Sequence, residues 1–228
     1  MIVLGIETAT TVCGVAMSRD GRVIAEESVD KPRAHAERIL GLIDTVLKGS
    51  VSLDSVDAIA VSIGPGSFTG LRIGVSVAKG LAYAAGKSLV AVPTLTALAE
   101  KARRGGAVVP GERILAILKA RRNEAFAQWF TAETATVCAL EDVRVAGTPA
   151  LVREASTARG VLTGDCAMVT SMAGEELSLR VLQPPVSQCD AGTVALLGAD
   201  LFARGRTADT ATLEPEYKLD FFLNTLTT

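Results

Sequence analysis

The stretch Ser62-Ile63-Gly64-Pro65-Gly66-Ser67-Phe68-Thr69-Gly70-Leu71-Arg72-Ile73-Gly74 lies between an apolar run at 57–61 and a run of small residues at 75–85. That order reads as a buried strand, a glycine-rich turn and a helix. Gly64 and Gly66 open backbone angles closed to other residues, and Pro65 fixes one φ between them. Ser67 is a natural N-cap, and free N–H groups at such a helix start attract anions. The two familiar phosphate loops do not match. A P-loop needs Gly-Lys-Ser/Thr where Gly70-Leu71-Arg72 stands, and a dinucleotide loop needs glycine at Thr69. The stretch can therefore act as a phosphate cradle or as a tight structural turn.

The helix that follows carries Gly70, Gly74, Ala78 and Ala82 every four residues, so one face is almost without side chains. A ridge that flat allows another backbone to approach closely. It suits packing on the chain's own sheet, or docking against a second helix or subunit. An earlier helix, expected over 34–48, presents Ile39, Leu40, Leu42, Ile43, Val46 and Leu47. At ~100° per residue these span an arc of roughly 160°, wider than one sheet contact requires. Glu37, Asp44 and Lys48 lie opposite. The two helix faces together are expected to form a docking surface.

The run from Ser62 to Gly74 resembles the signature of the bacterial TsaB (YeaZ) family. Val3-Leu4-Gly5-Ile6-Glu7-Thr8-Ala9-Thr10 is similar to that family's first strand and turn, and His35-Ala36-Glu37-Arg38 to the start of its first helix. The likeness covers the first ~100 residues well and the remainder loosely. It implies an α/β fold of the actin-like, sugar-kinase-like (ASKHA) kind, with two related domains, the second degenerate. It also implies a part in making threonylcarbamoyl-adenosine next to the anticodon of tRNA. The role implied is a non-catalytic scaffold for a metal-containing catalytic sister subunit (TsaD-type) and an ATPase subunit (TsaE-type), with tRNA engaged through the complex. The chain alone is expected to form a homodimer and to hold no cofactor tightly. ATP or ADP, where engaged, belongs at the partner interface.

The resemblance also assigns positions. Glu7, Thr8, Thr10, Gly64, Gly66, Ser67 and Thr69 are the nucleotide- or phosphate-loop candidates. Catalytic relatives place a metal with Asp at the first turn, and Glu7 stands there with one methylene more. Read on its own, Glu7 is a solvated strand-end carboxylate. His35, Ile39, Leu42, Val46, Gly70, Arg72, Gly74, Ala78 and Ala82 are the partner-interface candidates. The catalytic sister carries metal-binding histidines after the helix that corresponds to 94–103. Here the region reads Ala91-Val92-Pro93-Thr94-Leu95-Thr96-Ala97, with no ligand. His35 is the only histidine, and Ile39 stands where an i, i+4 metal pair would need a second one. No catalytic or metal residue is therefore assigned, and His35 is expected to make a positioning or helix-start contact.

Composition sets outer bounds. The chain has 228 residues, 49% apolar and 21% charged, which describes a globular protein with room for one large domain or two small ones. A net charge of −2 carries no bulk basicity, so any nucleic-acid surface is local or supplied by a partner. Cys13, Cys138, Cys166 and Cys189 form no C-x-x-C pair, as in ordinary cytosolic proteins. No run approaches the ~18 apolar residues of a membrane span, and a cytoplasmic, soluble protein is expected.

Further along, strands are expected at 2–6, 12–17 and 22–28, with the hairpin signal Ser18-Arg19-Asp20-Gly21 between the last two. Lys31-Pro32-Arg33 should end that ribbon. A strand at 88–92 and a helix at 94–103 follow, and the turn-rich 103–111 marks a boundary between domains 1–104 and 105–228. Beyond it lie paired strands at 113–118 and 124–130, helices at 149–155 and 191–204, and a strand at 161–164. The last helix and tail can return to the first domain. Lys119-Ala120-Arg121-Arg122-Asn123 is a basic hairpin tip, expected to be a solvated turn in preference to a tRNA contact; members of the resembled family usually carry Asp at Lys119. Pro215-Glu216-Tyr217-Lys218 is close to the family's Pro-x-Tyr-Leu-Arg ending. A stand-alone ATP-dependent small-molecule kinase is the alternative function, and a glycoprotease fits poorly with one isolated histidine.

Overall fold

A computed structural model describes residues 1–30, 35–174 and 177–217. The expectations for Lys31-Pro32-Arg33 and for Lys218 onward lie outside these residues. The first sheet has the order β3-β2-β1-β4-β5, from β1 (Ile2–Glu7), β2 (Val12–Arg19), β3 (Arg22–Asp30), β4 (Ala58–Gly64) and β5 (Ser88–Pro93). β1 to β3 form an antiparallel ribbon, and β4 and β5 join it in parallel. Asp20 and Gly21 turn the β2–β3 hairpin with φ of 49° and 78°, the left-handed pair a two-residue hairpin requires.

One face of this sheet is covered by α1 (His35–Ser50) and α2 (Phe68–Ala85). Leu4, Ile6, Val15 and Met17 meet Ile39, Ile43, Val46, Val75, Ala78 and Ala82 there. The alternate strand positions, Val3, Ala16, Ala58 and Ala60, face α6 (Ala191–Ala203) on the other side. A Cβ on Gly5 would stand 2.5 Å from the Ala191 carbonyl oxygen, so α6 lies almost flat against β1.

The second sheet has the order β11-β10-β6-β7-β8, with β9 also paired to β7. Its strands are β6 (Arg113–Arg121), β7 (Glu124–Ala132), β8 (Val137–Ala139), β9 (Arg144–Gly147), β10 (Val161–Gly164) and β11 (Arg180–Val181). β6 and β7 pair antiparallel and β10 joins β6 in parallel, repeating the β1, β2, β4 arrangement. α3 (Thr94–Arg104) packs on one face, α4 (Thr148–Thr157) and α5 (Ala167–Ala173) on the other. α3 thus follows the first sheet in the chain but lies against the second, while α6 returns to the first. Between them Glu100, fully buried, accepts from Arg103 at 2.6 Å and Arg104 at 2.7 Å, and Arg104 reaches Asp200 of α6 at 2.6 Å. A buried carboxylate with two guanidinium partners avoids the cost of an unpaired charge.

The small-residue ridge of α2 points inward, which corrects its assignment to the docking face. Gly70, Gly74, Ala78 and Ala82 are all buried within the chain. Cβ atoms on Gly70 and Gly74 would stand 2.0 Å from the Thr8 carbonyl oxygen and 2.1 Å from Thr8 Oγ1. Ile39 and Val46 are likewise core residues, each 1% exposed, and only Leu42 of that set is partly accessible. Ile39, Ile43 and Val46 of the wide apolar arc of α1 are taken up by the core, while Leu40 stays exposed and Leu42 half-buried.

Gly80, in the same helix, has nothing within 4 Å of an added Cβ. The pair makes a test. Gly74→Ala should cost ~1–3 kcal/mol by overpacking, lowering the thermal midpoint by about 2–4 °C per kcal/mol. Gly80→Ala should raise the midpoint slightly, since Ala is favoured by up to ~1 kcal/mol in a helix. Equal midpoints in thermal scans of the two variants would contradict the inward packing.

Candidate functional site

A threonine-rich turn and a glycine-rich loop lock together at the C-terminal ends of β1 and β4 in the first sheet. The turn between β1 and β2 supplies Thr8, Ala9, Thr10 and Thr11, and the loop between β4 and α2 supplies Pro65, Gly66 and Ser67. Ser67 N–H donates to the Ala9 carbonyl at 2.7 Å, and a Cβ on Gly66 would stand 2.3 Å from that oxygen. Ser67 Oγ then accepts from Gly70 N–H at 3.2 Å, the expected cap. Gly64 has a φ of 123°, donates its N–H to Thr94 Oγ1 at 3.1 Å, and lies under the Glu216 carbonyl.

Glu7 is not solvated. Its side chain is fully buried, accepting Ala9 N–H at 2.6 Å on Oε1 and a short hydrogen bond from Ser62 Oγ on Oε2. Burial pushes its carboxyl up to about 7, against the opposing pull of those hydrogen bonds. Strand alternation turns it into the layer beneath the turn, so it ties β1 to β4. Thr8 is buried as well, and its Oγ1 has no hydrogen-bond partner among the described residues.

His35 opens α1 at 6% exposure, with Nε2 3.0 Å from the Thr10 carbonyl oxygen. This is the helix-start contact expected of it, and it fastens α1 to the β1–β2 turn.

Above the locked segments is a cleft of about 960 Å³. Thr10, His35, Gly66, Ser67 and Thr69 form one wall, and Lys119, Ala120, Arg121 and Asp165 from the second sheet form the other. A smaller cavity of about 400 Å³ continues past Thr10 and Thr11 towards Asp165, Gln183 and Ser187. Glu7 and Thr8 reach neither, and Gly64 lines neither. Of the phosphate-loop candidates, Thr10, Gly66, Ser67 and Thr69 are therefore brought together on the cleft. Among the described residues no three His, Cys, Asp or Glu side chains converge as metal ligands. Asp165 directs one oxygen to Lys119 N–H at 2.6 Å.

The chain's last described segment closes the mouth. Glu216 N–H donates to the Ile63 carbonyl at 2.7 Å, and Arg72 Nε donates to Tyr217 Oη at 2.9 Å. The Arg72 guanidinium lies 4.0 Å from the centre of the Phe68 ring, which stacks against Tyr217 at 4.9 Å. Lys79 donates to the carbonyls of Ala211 and Leu213 at 3.0 Å each. Arg72, assigned to the partner face by sequence, is instead engaged by this strap.

Residues 24–146 match the model of the family described as "TsaD: tRNA N6-adenosine threonylcarbamoyltransferase". The chain is 32% identical over 222 residues to the tRNA threonylcarbamoyladenosine biosynthesis protein TsaB of Escherichia coli K12, covering 95% of this chain and 94% of that protein. The chain belongs to the TsaB/YeaZ family. The solved structure of YeaZ from Pseudomonas aeruginosa superposes with a TM-score of 0.81 at 27% identity, over 95% of this chain and 99% of that one. The ethanolamine utilization protein EutJ from Carboxydothermus hydrogenoformans shares the fold alone, at a TM-score of 0.50 and 13% identity over 87% of this chain and 90% of that one. The fold is thus ASKHA-like, as the family's signature implied.

Sequence reading passed over Asp165, Phe68 and Tyr217 as site residues. Asp165 had one legible sign, the preceding Gly164: its φ is 100°, and a Cβ there would stand 1.9 Å from the Ile117 carbonyl oxygen. Phe68 and Tyr217 meet only through the fold, so no local spacing links them.

Glu7 makes the site's pH response testable. Its folded value, about 7, stands above the ordinary 4.5. The stability it confers is full below 4.5 and falls as pH rises towards 7, because the unfolded chain releases the proton first. Glu7→Gln keeps an acceptor for Ala9 N–H and cannot ionise. The wild-type minus Glu7→Gln difference in thermal midpoint should decline between pH 4.5 and 7 and level off above. A difference that stays constant across that range removes Glu7 as the buried titrating group.

Proposed function

We propose that this chain is the scaffold and activating subunit for tRNA N6-threonylcarbamoyladenosine modification. It works with a catalytic sister subunit of TsaD type and an ATPase of TsaE type, and it contributes surface rather than chemistry. The observation that carries this reading is the fate of Glu7. The carboxylate at the turn where catalytic relatives set their metal is sealed beneath the cleft by Ser62 and Ala9. A stand-alone kinase would need carboxylates facing the phosphates, and the wall at Asp165 supplies one that is already bound to Lys119 N–H. ATP or ADP is engaged at the partner interface rather than held by the chain alone.

The docking surface in this reading is the outer side of α1 and α2, not the inner ridge. Leu40 is 62% exposed and Tyr83 84% exposed, with Leu42, Ile73 and Val77 half-buried around them. Gly41 and Gly80 lie here in helix interiors with nothing within 4 Å of an added Cβ. Each costs up to ~1 kcal/mol of helix stability relative to Ala, and the chain's own packing does not require them. Close approach by a partner helix does. A second copy fills this face when the chain is alone, and the sister subunit, sharing the fold, displaces it.

Gly80→Leu should leave the thermal midpoint within a few degrees and convert the dimer to a monomer in light scattering. It should also abolish co-elution with the sister subunit. A folded variant that still dimerises and still co-elutes would refute this face, and a wild-type chain that co-elutes with no sister subunit would refute the scaffold role.

A further inference from the structure

The tip of the β6–β7 hairpin carries cations that the fold leaves unused. Lys48, Lys79, Lys87 and Lys101 each place their ammonium group on an acceptor, Asp44, the Ala211 and Leu213 carbonyls, the Asp54 carbonyl and Asp190 respectively. Lys119 alone among the described lysines does not, and neither Arg121 nor Arg122 forms an ion pair among the described residues; all three are exposed. Glu124 stands opposite Arg121 in the ladder without pairing to it, and Asp165 is directed to the Lys119 N–H rather than its ammonium.

The tip is also tied to the body of the second sheet. Leu115, Ile117, Ala125 and Ala127 below it are fully buried. The Asn123 carbonyl accepts from Thr148 N–H at 2.8 Å and Thr148 Oγ1 at 3.1 Å, so the start of α4 fixes the turn. Like charges set this close repel one another. A tied-down mount for them costs stability locally and lowers the ordering cost of binding an anion. Lys119 and Arg121 face the cleft, while Arg122 and Asn123 stand exposed at the turn.

We propose that this tip, residues 119–122, binds the phosphate backbone of RNA. The chain's overall charge of −2 makes such a surface necessarily local. The proposal rests on the tRNA-modification reading and deepens it by placing tRNA contact on this subunit. The contacts are to phosphate, so they position the RNA and do not read its sequence.

The test is anisotropy binding of an unmodified tRNA transcript, from about 50 to 200 mM salt, by the chain alone and by its complex with the sister subunit. The variant is Lys119→Gln/Arg121→Gln/Arg122→Gln, with Arg19→Gln/Arg22→Gln at the far end of β2 as a charge control. The triple variant should lose on the order of tenfold in affinity at low salt, and its log–log salt slope should shrink by about 2–3. The control should change neither. Unchanged affinity and slope in the triple variant, or an equal loss in the control, overturns the proposal. Loss of sister-subunit co-elution with tRNA binding intact overturns it too, since the tip would then be a protein contact, while the scaffold reading stands. A chain that never joins the sister subunit but loses tRNA affinity in the triple variant sinks the scaffold reading alone. Arg122→Glu, at the turn itself, repeats the measurement should the triple variant fold poorly.

Discussion

Thr8 sits where the β1–β2 turn and α2 approach too closely for a side chain on the helix. Its carbonyl and hydroxyl press on the backbone of α2 at Gly70 and Gly74, and the Ala9 carbonyl next to it takes the N–H of Ser67. Any side chain on Gly66, Gly70 or Gly74 would collide with this turn. The glycine-rich loop is therefore first a joint between the β1–β2 turn and α2. It fixes the floor of the cleft and the direction in which the helix leaves it. What reaches the cleft, Thr10, Ser67 and Thr69, does so because the joint beneath them is closed.

The joint explains which parts of the sequence could be read. The strand–loop–helix order around Ser62–Gly74, the Ser67 cap and the Asp20-Gly21 hairpin are local matters of backbone angle and periodicity, and each is found where the residues put it. The inward turn of the small-residue ridge is a matter of orientation. A four-residue repeat of glycine and alanine says that a helix face is flat, not whether a strand turn or a foreign helix lies on it. The decisive partner, Thr8, is more than 60 residues away in the chain. The exposed glycines at 41 and 80 carry the opposite message and belong to no repeat, so nothing local marked them. Short elements were missed for a similar reason: β8, β9, β11 and α5 have 2 to 7 residues each and are held by pairing with longer strands or by packing.

Buried carboxylates show two ways in which the fold handles charge. Glu100 is given two guanidinium groups and links α3 to α6 through Arg104 and Asp200. Glu7 is given only hydrogen-bond donors; burial raises its proton affinity, and it ties β1 to β4 through Ser62. A residue used in this way is lost to metal or phosphate chemistry. The cleft above it has Thr10, Ser67 and Thr69 on one wall and Lys119, Arg121 and Asp165 on the other.

The account's central claim is that this chain supplies docking surface and no catalysis. It is tested most directly by measuring threonylcarbamoyladenosine formed on tRNA in a reconstituted mixture supplied with ATP and threonylcarbamoyl-adenylate, with the chain alone, with the sister and ATPase subunits alone, and with all together. Product is expected only when all are present. Product formed by this chain by itself, or an undiminished yield when it is left out, would contradict the claim.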